Sequence, residues 1–165
     1  MFWDVRQLLL GIHIFMAISW VGSVLFVGWG VFPATQTLPV RARQTFLLAL
    51  MRRSHLPFSL AGLGVIITGV LLGTIFGPVH HWHDIWQTRY GRIWVLALIV
   101  ALITLFWGVF IGFRRSIKVL SNPVLWKTAE AGYEGPLKQA LFTVAATESV
   151  EIIGFMILIG LMISF

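Results

Sequence analysis

RIWVLALIVALITLFWGVFIGFRR, residues 92–115, decides the fold. No residue between Arg92 and Arg114 is charged. As a helix, the run is long enough to cross a bilayer core, which takes roughly 20 mostly apolar residues. Polar and apolar residues do not alternate along it, which argues against a strand of a membrane barrel. A helix satisfies its own backbone groups, as hydrocarbon requires. Working outward, three more segments share this character: about Val5 to Phe32, ending before Pro33; about Leu56 to Phe76, closed by Gly77-Pro78; and about Ala140 to Phe165. The expected fold is an all-α integral membrane protein, a single four-helix bundle spanning residues 1–165.

Composition agrees. Apolar residues make up 58% and charged residues 11% of the 165 positions, against roughly a quarter charged in soluble domains. The apolar run after Val5 exceeds the ~7–15 residues of a signal-peptide core, so it reads as the first span. The net charge of +6 is read as a topology signal facing anionic lipid, with no nucleic-acid partner. Arg6, Arg89 and Arg92 lie on the side of the N-terminus. Arg41, Arg43, Arg52, Arg53, Arg114, Arg115, Lys118, Lys127 and Lys138 lie on the other. The richer side is expected in the cytoplasm, giving a multi-pass protein of the plasma (inner) membrane with both termini outside. Trp3, Trp82, Trp86 and Trp94 fall near the outer interface, Trp29 and Trp107 near the inner one. Gln44 to Met51 is either a short interfacial helix or an early start of the second span.

Ionisable residues inside a span cost at least ~2.5 kcal/mol at the centre and mark function by default. His13 lies on the first helix, and Glu148 and Glu151 on the fourth, three apart and so on one face. Thr143, Thr147 and Glu151 extend that face as a polar stripe. One reading is an ion, proton or metal path lined by His13, Glu148 and Glu151. The structural alternative is hydrogen bonding to Ser19, Ser23 or Thr104. Met16, on the face of His13, and Met156, at a similar depth, add thioethers, and imidazole with thioether suits monovalent copper. Packing is the commoner role of Met. In the outer connection His80, His81 and His83, beside Asp84, form a candidate metal-capture cluster, or an exposed polar loop. His55 reads as a lipid-facing polar cap rather than a ligand. Cysteines are absent, which excludes disulfides and thiolate sites. No phosphate loop, Ser elbow or zinc-protease helix is present. The span glycines read as packing residues that let helices approach closely.

HIFMAISWVGSVLF, from His13 to Phe26, resembles the opening of the CopD copper-resistance membrane family through His13, Trp20, Val21 and Gly22. Thr68 to Leu71 (TGVL) and Thr88 to Trp94 (TRYGRIW) resemble that family's next two motifs, and Glu148 or Glu151 its last-helix Glu. Ala97 stands where family members usually carry Lys, and the chain consists of the four-helix unit alone. The resemblance implies copper handling, either uptake or tolerance, without catalysis. A more distant similarity, to HemJ-type protoporphyrinogen oxidases, implies haem b on His13 with Met156, Met16 or an outer-loop His as second ligand. The Lys and His usual on the third helix of those proteins are absent here. A third expectation is a non-catalytic subunit of a membrane complex. The small-residue faces are compatible with a homodimer.

Overall fold

The computed structural model describes residues 2–165, with side chains from Asp4 onward; Trp3, expected in the outer aromatic belt, lies outside the described side chains. Four helices are long and apolar enough to cross a membrane: Asp4–Thr37, Val40–Gly73, Arg89–Leu120 and Gly135–Ile163. The protein is an all-α four-helix membrane bundle. Its even number of spans brings both termini to one end. The opposite end, the basic end, carries Arg41, Arg43, Arg52, Arg53, Arg114, Arg115, Lys118, Lys127 and Lys138, nine of the twelve Lys and Arg residues.

The spans are longer than their apolar runs. The first passes through Pro33, which sits in the first turn of a short helical stretch, Phe32–Ala34. The second begins at Val40, so Gln44 to Met51 is its first part rather than a separate interfacial helix. The third continues beyond Arg114-Arg115 to Leu120. At ~1.5 Å per residue the two 34-residue spans measure ~50 Å, against a hydrocarbon core of ~30 Å. The excess projects at the basic end, where water and headgroups solvate the arginines.

That projection has its own core. Trp126, on the connecting helix Pro123–Glu130, is 1% exposed and packs with Leu47, Leu120, Ala129, Leu137 and Leu141. Its indole N–H donates to the Val119 carbonyl at 3.2 Å, and the Arg43 guanidinium lies over its ring at 5.4 Å. Asn122 caps this helix by accepting the Val124 and Leu125 N–H groups, with Pro123 in its first turn. Gly132, at φ 96°, turns the chain out of it in the left-handed region that glycine enters freely. The core thus ties the second, third and fourth spans together.

Within the membrane, successive spans pack side by side: first on second, second on third, third on fourth. The first and fourth meet only sparsely. Glycines permit the close contacts. A Cβ on Gly62 would stand 2.7 Å from Leu105 Cδ1 and 2.9 Å from the Trp20 ring. A Cβ on Gly73 would overlap the Trp94 indole, whose N–H donates to the Gly69 carbonyl at 3.1 Å. Trp94 and Trp107 therefore serve helix contacts through their N–H groups, Trp107 donating to Thr147 O at 2.9 Å. Trp29, Trp82 and Trp86 are exposed, as belt residues are.

Gly73→Ala should displace the Trp94 indole and cost about 1–3 kcal/mol, the usual range for overpacking. Thermal unfolding in detergent checks this; an unchanged melting temperature would show that the second and third spans tolerate greater separation.

Candidate functional site

Two turns in the bundle depart from α-helix. Phe26–Val31 and Trp107–Gly112 are π-helical, with the Phe32 N–H bonded to Val27 O and the Phe113 N–H to Gly108 O, five residues back. Such turns insert one residue, rotate the remainder of the helix about its axis, and collect at functional sites. Both flank the same interior space.

The Trp107–Gly112 turn makes room for the two membrane carboxyls. A Cβ on Gly108 would lie 2.6 Å from Glu151 Oε1, and one on Gly112 would lie 2.9 Å from Glu148 Oε2. The two glycines are four apart and the two glutamates three apart, so each carboxyl lies in its own notch. Ser116, one turn beyond Gly112, donates to Glu148 Oε1 at 2.8 Å. Glu151, 5% exposed, has the Trp20 indole turned toward it but receives no hydrogen bond of good geometry. Both carboxyls line an inner cavity of about 230 Å³ that extends toward the basic end as far as Leu47, Leu120 and Leu141. Ser54, His55, Ser116, Trp20, Trp29 and Phe113 are among its other walls. His55 is stacked on Phe113, centroids 3.7 Å apart, so it belongs to this cavity and not to the lipid face.

His13 belongs to a different space. It lines an outer cavity of about 550 Å³ with Arg6, Gly69, Tyr90, Trp94 and Met162. Its Nδ1 lies 2.8 Å from Thr68 Oγ1. The Thr68 hydroxyl has one proton, which it donates to Gly64 O at 2.6 Å. With the hydroxyl proton directed at Gly64, the Nδ1-protonated tautomer is the one that completes the bond, and it presents Nε2 as an acceptor. A carbonyl-anchored hydroxyl holding one ring nitrogen is how a ligating histidine is oriented.

Trp20 divides the two cavities and lines both. It is 2% exposed and meets Phe155 edge-on at 5.0 Å, rings at 83°. His13 and the glutamates thus stand on opposite sides of an aromatic partition and do not form one continuous line.

The expected partners differ too. Ser19 bonds the Phe15 carbonyl and Thr104 the Val100 carbonyl; the actual partners are Thr68 and Ser116. Met16 packs against Gly64, its Sδ 3.2 Å from a Cβ placed there. Met156 is 65% exposed on the outer face of the fourth span, so the structure does not bring it to His13. Met162 replaces it. His13 lies seven residues before Trp20 and Met162 seven after Phe155, and the two spans run antiparallel, which puts both ~10 Å beyond the partition. Only the register between the two helices, invisible in either alone, distinguishes Met162 from Met156.

His80, His81 and His83 are exposed. Asp84 is occupied locally, its Oδ2 accepting the His81 N–H at 2.8 Å and the His80 N–H at 3.0 Å. His83 Nδ1 stands 3.6 Å from Asp84 Oδ1. Among the described residues no three His, Asp or Glu side chains are gathered as a metal site. No family profile, curated protein or solved structure matches this chain.

Asp84 generates a pH prediction. The His81 and His80 backbone N–H groups hold its carboxyl below the usual carboxylate range. A depressed folded value contributes stability above the unfolded pKa of ~3.9, lost as pH falls through the folded value. Amide protection factors in residues 80–84, corrected for the intrinsic pH dependence of exchange, should therefore be constant from neutrality to about pH 4 and fall only below it. Loss of protection already well above pH 4 would show that the Asp84 carboxylate does not hold this turn.

Proposed function

We propose that this chain is a membrane redox protein whose outer cavity would hold haem b, on His13 through Nε2 and on Met162. The observation that carries the reading is His13, held at Nδ1 by Thr68, lining about 550 Å³ of largely apolar space. That volume is far larger than a bare metal ion fills, and its walls suit a flat apolar macrocycle. The residues fit the group in two further ways. The mouth carries Arg6 and Tyr90, a cation and a phenol suited to carboxylate substituents. Arg6 uses Nε on the Phe76 carbonyl at 3.3 Å, and its remaining N–H groups can serve such a partner. When bound, haem supplies one-electron chemistry, its potential raised by a His/Met pair.

This chain's own part is to orient and to exclude water. Thr68 fixes the imidazole. Trp94, anchored on Gly69, walls the cavity toward the third span, and the Trp20–Phe155 pair seals it from the basic end. The cavity also opens sideways between the first and fourth spans, where exposed Ile14, Ile18, Ile159 and Met162 line it. A lipid-soluble ligand can enter there.

The second reading is CopD-like copper handling at the same two side chains. It is favoured by the soft pairing of imidazole with thioether and by the resemblance from His13 to Gly22. We also infer that the basic end is cytoplasmic in a plasma membrane, since nine of twelve Lys and Arg residues lie there. A homodimer is supported by Gly11 and Gly22, three turns apart on one face of the first span, where an added Cβ would meet nothing within 4 Å.

The test is the absorption spectrum of detergent-purified protein, as isolated and after haem addition, oxidised and then reduced. A Soret band with sharp reduced α and β bands is expected, lost in His13→Ala, red-shifted or broadened in Met162→Ala, and with haem bound ~10–100-fold more weakly in Thr68→Val. A spectrum untouched by His13→Ala would overturn the site. No haem uptake, together with stoichiometric copper lost in His13→Ala, would establish the second reading.

A further inference from the structure

The inner cavity takes no part in holding haem, and its chemistry is the opposite of the outer one. Glu151 is buried beside the Trp20 indole and, among the described residues, has no ion-pair partner, yet it lines an open space. An unpaired acidic group in hydrocarbon is costly, so a partner of opposite charge is the expected complement. The walls specify what kind. Trp20, Trp29, Phe58 and Phe113 surround the carboxyls, and aromatic faces attract cations, most strongly when water is excluded. Small inorganic cations need several oxygen ligands; here the polar wall beyond the two carboxyls is limited to Ser54, Ser59, Ser116, Ser149 and His55.

The route of entry agrees. The cavity reaches the gap between the first and fourth spans, where Gly28, Trp29, Ala145 and Ser149 are exposed. Arg52, Arg53, Arg114 and Arg115 at the basic end are all exposed and disfavour direct entry of a cation from water. A cation with enough apolar surface to partition into the bilayer bypasses them.

We propose that the inner cavity binds a lipophilic organic monocation, an alkyl or aryl ammonium, with Glu151 as its counter-charge and Glu148, fixed by Ser116, as a second carboxyl beside it. The proposal is independent of what occupies the His13 cavity.

The titratable groups facing the site are Glu148 and Glu151 from the fourth span and His55 from the second. The first and third spans contribute no titratable or charged side chain to the lining. Protons therefore compete with the cation for the carboxyls, and an imidazolium at position 55 adds repulsion. Both effects weaken binding as pH falls.

The probe is benzyltrimethylammonium, whose charge does not titrate, against its uncharged isostere neopentylbenzene, by calorimetry on protein in lipid nanodiscs. The expected result is saturable binding of the cation, at least tenfold tighter than the isostere, weakened at least tenfold in Glu151→Gln and less in Glu148→Gln. Acidification of wild-type protein should weaken the cation and leave the isostere unchanged, a comparison that needs no variant to fold. Equal affinity for cation and isostere would show a merely apolar cavity and overturn the proposal. So would the absence of saturable binding, or a Glu151→Gln protein of unchanged melting temperature that binds the cation as wild type does.

Discussion

The edge-on contact of Trp20 with Phe155 is the constraint on which the interior depends. In a bundle whose spans pack in sequence, first on second through to fourth, the two outermost helices need not meet. Here they meet principally through this pair. Gly62 permits it, because a side chain there would collide with the indole. Without the contact the bundle would enclose one long cleft. With it, the interior is two compartments of different chemistry: an imidazole facing a large apolar space on one side, and two carboxyls in a cavity partly walled by aromatic rings on the other.

The acidic compartment shows how a bundle of apolar helices accommodates polar groups. The fourth span supplies the carboxyls, but the third makes them possible. Its π-helical turn brings Gly108 and Gly112 opposite Glu151 and Glu148, so each carboxyl lies against backbone rather than against a side chain. Ser116 completes the arrangement for Glu148. Glu151 has no equivalent, and the difference between two glutamates only three residues apart arises from one hydroxyl on a neighbouring helix.

The bundle itself is legible in the sequence because each span carries its own evidence: uninterrupted apolar length, and charge only at the ends. His13, Glu148 and Glu151 are legible for the same reason, since a titratable residue in such a run stands out without reference to anything else. Register is not legible. Thr68 holds His13 and Ser116 holds Glu148, neither of them among Ser19, Ser23 and Thr104, and Met162 rather than Met156 shares the His13 cavity. Each of these depends on how far one helix is shifted or turned against another, which glycine contacts such as Gly62 on Trp20 determine. His55 looks like a lipid-facing cap only while the second helix is taken to start beside it. The helix begins fifteen residues earlier, at Val40, and the ring is turned inward onto Phe113. Ser54 and Ser59, on either side of it in sequence, hold a faint signal of a wet face.

The basic end holds a consequence for the rest of the molecule. Around Trp126 the second, third and fourth spans are locked by a core resembling that of a water-soluble protein, with Phe32 of the first span packed against it. Along the opposite edge the first and last helices are two arms joined principally by the Trp20–Phe155 pair, with both facing lipid on either side of it. Bilayer thickness and lateral tension act directly on those two arms. For the lipid-soluble ligands proposed above, entry between the two arms would then follow the surrounding lipid, and membrane composition would regulate exchange without a dedicated effector site.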